Sequence, residues 1–246
     1  MVGGRCVSIV LVALFAAACS VSSGSRPDAG GPDPGEDGGG STPDAAVGSS
    51  GLVLELRGVP ALSAELGGDF SPVLKEVRID LENVRAVGDA APGDERTSRD
   101  ELRLEWKGES DDDGGEEADN APVVVTFDQA PPGLYSNVFA EVKSYRLRGE
   151  VEPAEDTERD FEIDDQPSSL AISIPLGGVT LEVGETRRVI IEVSCADAVL
   201  DVPWDQVAEE EGSLVVDSES AFIGAVHDAM QAAFSYQGDE QVTAGP

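Results

Sequence analysis

The amino-acid sequence predicts a mainly β protein: a two-layer antiparallel β-sandwich with one C-terminal α-helix, preceded by a disordered linker. Three observations carry the prediction. After Gly51, about ten short segments alternate apolar and polar residues with a period of two, the pattern of strands with one buried and one wet face. Turn chemistry separates them, at Pro131-Pro132-Gly133, Gly177-Gly178 and Val183-Gly184-Glu185. Before Gly51 lies a stretch of Gly, Pro, Ser and Asp with too little apolar area to offset the entropy of ordering it. Half-buried alternation of this kind belongs to antiparallel sheets rather than to the doubly covered parallel sheet of an α/β fold.

Taken in chain order, residues 1–18 read as an export signal. Arg5 is the only charge, Val7 to Phe15 is an apolar run, and Ala16-Ala17-Ala18 supply the small residues of a cleavage site. The run is too short to favour a membrane span. Cys19 follows directly, and the arrangement resembles a bacterial lipoprotein lipobox, which implies that Cys19 is acylated on sulfur and becomes the first mature residue. Ala16 stands where that pattern prefers Leu, Val or Ile. Residues 19–50 form the tether, with a Pro-Asp-Ala tripeptide at Pro27 and again at Pro43. As a flexible coil they span roughly 30 Å. Their composition resembles that of linkers in myxobacterial-type lipoproteins. Cleavage removes one basic residue and no acid, so the acyl chains alone must supply the anchoring to the membrane. Ser20 after the Cys resembles an outer-membrane sorting signal.

Residues 51–236 are assigned to the sandwich domain. Leu52, Leu54 and Leu56 share one face of the first strand, with Glu55 and Arg57 on the other. Val73, Val77, Ile79 and Leu81 repeat the pattern with Glu76, Arg78 and Asp80 outside, and Leu102, Leu104 and Trp106 alternate with Glu101, Arg103 and Glu105. Val123, Val125 and Phe127 follow, then candidate strands at 134–149, 159–163, 170–174, 179–183, 187–195, 199–202 and 213–216. From Ser218 to Tyr236 the period changes: Phe222, Val226, Met230 and Phe234 recur every four residues, which is helical spacing. Asp217 or Ser218 is placed to cap this helix and Gly238 to close it. Residues 237–246 are read as a disordered tail.

Several of these segments together resemble an uncharacterised bacterial domain-of-unknown-function family that is common in lipoproteins and implies a β-sandwich. They are the first strand from Gly51, Val73 to Val87, Ala130 to Val142, Leu170 to Pro175, and Val179 to Val193. The matching turn positions are Pro132, Gly133 and Tyr135, then Val183, Gly184 and Thr186. Arg57-Gly58-Val59-Pro60 departs from that family's usual sequence after the first strand. The resemblance implies no activity and no catalytic residues.

Composition narrows the function classes. With 16 Lys and Arg against 49 Asp and Glu the net charge is −33, which opposes phosphate neutralisation and excludes a nucleic-acid partner. One His cannot build a two-His metal site. His227 is read as a helix-surface residue, because no Gly-x-Ser-x-Gly elbow or other activated nucleophile accompanies it. Cys195 shares strand parity with Val189, Ile191 and Val193 and is assigned to the core. Cys6 leaves with the signal and Cys19 is acylated, so no intramolecular disulfide is expected. Trp106 is in phase with the core, whereas Trp204, in Val202-Pro203-Trp204-Asp205, is the better candidate for ligand contact at the surface.

The densest acidic run, Glu109 to Asn120, places Glu109, Asp111, Asp113 and Glu117 around Gly114 at calcium-loop spacing. Glu stands at the first position where Asp is favoured, and Asn120 stands where the bidentate Glu belongs. The other reading of the run is a solvated hairpin insertion that attracts divalent cations diffusely.

The sequence therefore points to a non-enzymatic lipid-anchored protein of the Gram-negative cell envelope, at the outer membrane, whose sandwich binds a partner or serves as a structural module. No cofactor is called for unless the acidic run takes calcium. Its charge makes cations or a cationic envelope partner the first to test. The second expectation is a calcium-dependent adhesion or carbohydrate-binding module, and the third an envelope hydrolase using paired carboxylates. Ligand, oligomeric state and membrane face are left open.

Overall fold

Alternation along the chain becomes two sheets packed face to face. The structure, a computed structural model, describes residues 49–59, 70–89, 93–107, 121–153 and 158–242. Its strands are β1 (Gly51–Gly58), β2 (Phe70–Gly88), β3 (Ser98–Lys107), β4 (Val123–Asp128), β5 (Gly133–Pro153), β6 (Arg159–Asp165), β7 (Ala171–Leu181), β8 (Thr186–Val193), β9 (Ala208–Glu210), β10 (Ser213–Val216) and β11 (Phe234–Gln241). Helix α1 (Ala196–Leu200) follows β8, and helix α2 (Ile223–Ala232) precedes β11. One sheet has the order β11-β8-β1-β4. The other runs β3-β2-β5-β6-β10-β9, with β7 also on β5.

The long strands β2 and β5 organise the larger sheet. The second half of β5 pairs with β6 and its first half with β7, while β2 runs antiparallel to it over nearly its whole length. Leu52, Leu54 and Leu56 of β1, Val77, Ile79 and Leu81 of β2, and Leu147 and Ile163 of β5 and β6 are buried between the layers. Each such side chain contributes about 1.5–3 kcal/mol by leaving water. The turn into β5 is tied by Tyr135, fully buried, whose hydroxyl donates to the Pro131 carbonyl at 2.7 Å. That bond gives a physical role to the Pro132-Gly133-x-Tyr135 turn singled out in the sequence.

The mainly β, two-sheet architecture is as the sequence predicts, and four features differ. First, the sheets are not purely antiparallel: β1 pairs with β8 in parallel, as β6 does with β10. Strand alternation fixes which face is buried but not strand direction. Second, Gly177-Gly178 is no turn between two strands. Both glycines have positive φ, 64° and 96°, inside β7, where the pairing to β5 jumps from Pro175 to Val179. Third, the candidate strand at 199–202 is occupied by the end of α1, because a short apolar run such as Ala198-Val199-Leu200 has no periodicity to separate strand from helix.

Fourth, the C-terminal helix is shorter at both ends. Asp217 caps a turn instead, accepting from the Glu219 amide and the Ser220 hydroxyl at 3.0 Å each. The helix starts at Ile223 and stops at Ala232, and Phe234 opens β11, buried opposite Val193. Gly238 marks a bulge in that strand, with φ 150°, rather than a helix stop. The assigned tail from 237 is therefore strand through Gln241. Phe234 lies four residues past Met230, a spacing that fits the helix, yet its burial comes from an edge strand.

Candidate functional site

The outer face of β3-β2-β5-β6 gathers Arg78, Arg103, Lys107, Lys143, Arg146 and Arg148, a large share of a basic set of only 16. The strand register writes them into rows with carboxylates. Arg103, Asp80 and Ser144 stand side by side across three strands. Lys107, Glu76, Arg148 and Glu162 form a row across four strands, and so do Glu105, Arg78, Arg146 and Asp164. Opposite charges directly across a ladder stabilise it, and the like pair Arg78–Arg146 is bracketed by an acid on each side.

Asp80 is the hub of this face. Its Oδ1 accepts from Arg103 Nε at 2.6 Å, and its Oδ2 accepts from Ser144 Oγ at 3.0 Å and from Arg78 Nη2 at 3.4 Å. Partial burial works against its ionisation, but the bonds from Arg103 and Ser144 outweigh burial and hold the carboxyl below its ordinary range. Glu101 faces Glu82 across the ladder, and Lys143 Nζ donates to Glu101 at 2.6 Å to relieve the repulsion. Arg146 Nε donates to Asp164 at 2.8 Å and Arg148 contacts Glu162 at 3.1 Å.

Two hollows share Asp80 and Ser144. One, about 340 Å³, lies between Glu101, Arg103 and Lys143; the other, about 150 Å³, lies between Arg78, Arg146, Asp164 and Gln166. Both are open to solvent on one side of the sheet; charged and polar side chains line them, joined in the larger one by Leu81 and Leu102.

A second polar cluster sits beneath the same sheet. Phe161 and Ile163 point inward from β6, and Asp165 continues in that phase, so its carboxylate enters the core edge with a side chain only 2% exposed. His227 of α2 reaches it, Nε2 to Oδ2 at 2.7 Å. Tyr145 lies directly across the ladder from Asp165 and presents its ring edge-on to the imidazole, with centroids 6.2 Å apart. Burial pushes the Tyr145 phenol up, and the neighbouring Asp165 adds to the shift. An Asp–His pair is the orienting half of a hydrolytic triad. Among the described residues, however, no hydroxyl or thiol hydrogen-bonds His227, and the pair joins α2 to the sheet. His227 is thus a helix anchor with a buried partner, not a plain surface residue.

The other sequence candidates fall elsewhere. Trp204 is 4% exposed, its indole N–H donates to the Val199 carbonyl at 3.0 Å, and its ring packs on Phe161 at 4.7 Å. It is a core residue and not a surface contact, because Pro203 starts a 3-10 turn that folds the indole inward. Trp106 is core as expected. Cys195 is buried and unpaired, and burial raises its thiol to about 12. In a Cys6→Ser, Cys19→Ser chain a thiol reagent should therefore label nothing in buffer and one equivalent in denaturant. Prompt labelling in buffer would show that this part of the core opens.

Cys19, Glu109, Asp111, Asp113 and Glu117 lie outside the described residues. Among the described ones, no three His, Cys, Asp or Glu side chains converge to hold a metal, and no helix is long and apolar enough to cross a membrane.

No family model matches the chain, and no curated protein matches it. A solved structure from Bacteroides eggerthii, provisionally described as a cell adhesion protein, is similar at 9% identity, with a TM-score of 0.18. The similarity covers 58% of this chain and 46% of that one, so this chain spans less than half of its length. A likeness at this level carries no argument about fold or function.

Proposed function

We propose that the chain is a lipid-anchored envelope protein whose β-sandwich is a non-catalytic binding or structural domain, with the ion-paired face of β3-β2-β5-β6 as its recognition surface. The observation that carries the reading is an open hollow at Asp80 and Ser144 in which Arg103 and Lys143, two of this face's basic residues, are each set against a carboxylate. Paired strands present the donors and acceptors in fixed register, which suits recognition.

The anchor is read from the sequence between Arg5 and Cys19, and that reading supports a location at the cell envelope, on the outer membrane. Mass spectrometry of the chain from the cells that make it should find an acylated Cys19 at the mature N-terminus. A product released without lipid contradicts the anchor.

The second reading is calcium-dependent adhesion through Glu109, Asp111, Asp113 and Glu117. One observation favours keeping it: the run lies in the chain between β3 and β4, which are edge strands of opposite sheets. Melting temperature should then rise on titration with micromolar calcium, and Asp111→Asn with Asp113→Asn should abolish the rise. An unchanged melting temperature removes this reading.

A further inference from the structure

We infer that the hollow at Asp80 and Ser144 is a binding site for a neutral carbohydrate, recognised through its hydroxyls. This rests on the proposed binding face and names its ligand class.

The chemistry of the walls selects the ligand. Asp80 and Glu101 supply acceptors, Arg103 and Lys143 supply donors, and Ser144 supplies both, all within one hollow of about 340 Å³. That volume falls in the range of small-ligand sites, about 300–1,000 Å³. Most such sites carry only a few polar groups, whereas five of the seven residues lining this one are charged or polar, beside Leu81 and Leu102. A sugar hydroxyl is at once donor and acceptor, so it can bridge a carboxylate and a cation that already face each other without separating the charges. Neighbouring strands lie about 4.8 Å apart, which repeats this donor–acceptor alternation at intervals along the face. The adjoining hollow at Arg78 and Arg146 extends the track.

Charge excludes the competing ligands. A polyanion meets a chain of net charge −33, and the cations in the hollow are already committed to carboxylates. A polycation is attracted to acidic surface throughout the molecule, so it has no reason to seek the place where the basic residues gather. Protein partners usually bury aromatic or aliphatic anchors in pockets. Leu81 and Leu102 are the apolar residues that line the larger hollow, and Leu81 is itself buried on the core side of β2.

The test is an amide-shift titration of the full isotope-labelled chain in detergent micelles with maltotetraose, cellotetraose, mannotetraose and tetra-N-acetylchitotetraose. Tetragalacturonate and a lysine-rich peptide serve as charged comparisons. At least one neutral tetrasaccharide should shift β2, β3 and β5 amides around Asp80 and Ser144, and saturate. Asp80→Asn should weaken that binding about tenfold, as expected for removing a charged hydrogen-bond acceptor. Lys143→Ala, on a more exposed side chain, should also weaken it, which guards against misfolding of the first variant. Glu240→Gln, on the opposite sheet, should leave it unchanged. Silence of these amides across all four neutral sugars overturns the inference, as does saturable binding there of the acidic sugar or the peptide alone. Silence with the sugars together with an acylated Cys19 and a face protected in the envelope would leave the broader binding role standing.

Discussion

Alanine at position 149 is expected to lower the unfolding free energy by about 3 kcal/mol, the upper end of what overpacking costs. Gly149 pairs with Leu74 on one side and Phe161 on the other, at the centre of the larger sheet. A Cβ there would lie 1.9 Å from the Val73 carbonyl oxygen and 2.8 Å from the Phe161 ring. Neither neighbour can retreat: the carbonyl belongs to the β2 backbone, and the Phe161 ring is backed by Trp204. Urea unfolding should show a lower midpoint with an unchanged slope. The same substitution at Gly224, in α2 with nothing within 4 Å, should instead stabilise by about 0.5–1 kcal/mol through helix propensity. Equal effects at the two sites would contradict the packing described for β2, β5 and β6.

His227→Ala should cost about 2 kcal/mol, because it leaves the buried Asp165 carboxyl without its hydrogen-bond partner. The imidazole is 29% exposed, so water can enter the space it leaves, and the loss should fall short of the 3–5 kcal/mol typical of breaking a fully buried pair. Replacing both residues, Asp165→Leu with His227→Leu, should recover part of the loss, since neither the carboxylate nor the imidazole is then stranded, while the buried Tyr145 hydroxyl still lacks a partner. A single variant within a few tenths of the parent would show that the pair does not hold α2 to the sheet.

How far the sequence reached can be seen at particular residues. Val77, Ile79 and Leu81 lie inward and Arg78 and Asp80 outward, as their alternation requires, because parity depends only on the pleat. The direction of β8 against β1 was not legible, since pairing partners far apart in the chain leave no local mark. Phe234 satisfied a helical spacing and belongs to a strand, a case of tertiary burial overriding a local pattern. The rows of the charged face were half legible. Each strand showed its outward charges, but that Arg103, Asp80 and Ser144 would stand together depends on the register of β2 with β3 and β5. Asp165 was missed although a signal existed: it follows Phe161 and Ile163 in the buried phase of β6, and a carboxylate in that phase calls for a partner. Trp204 misled because Val202-Pro203 resembles a strand end, whereas the proline begins a turn that buries the indole.

The central claim, that the ion-paired face meets a partner at the envelope, is tested most directly by carboxyl footprinting of the chain in intact envelopes and after purification. Glu101, Glu105 and Glu162 should be protected from labelling in the envelope and modified after purification. Glu240, on the other sheet, should label equally in both. Equal labelling of all four in both states would contradict the claim and leave the face a solvated surface.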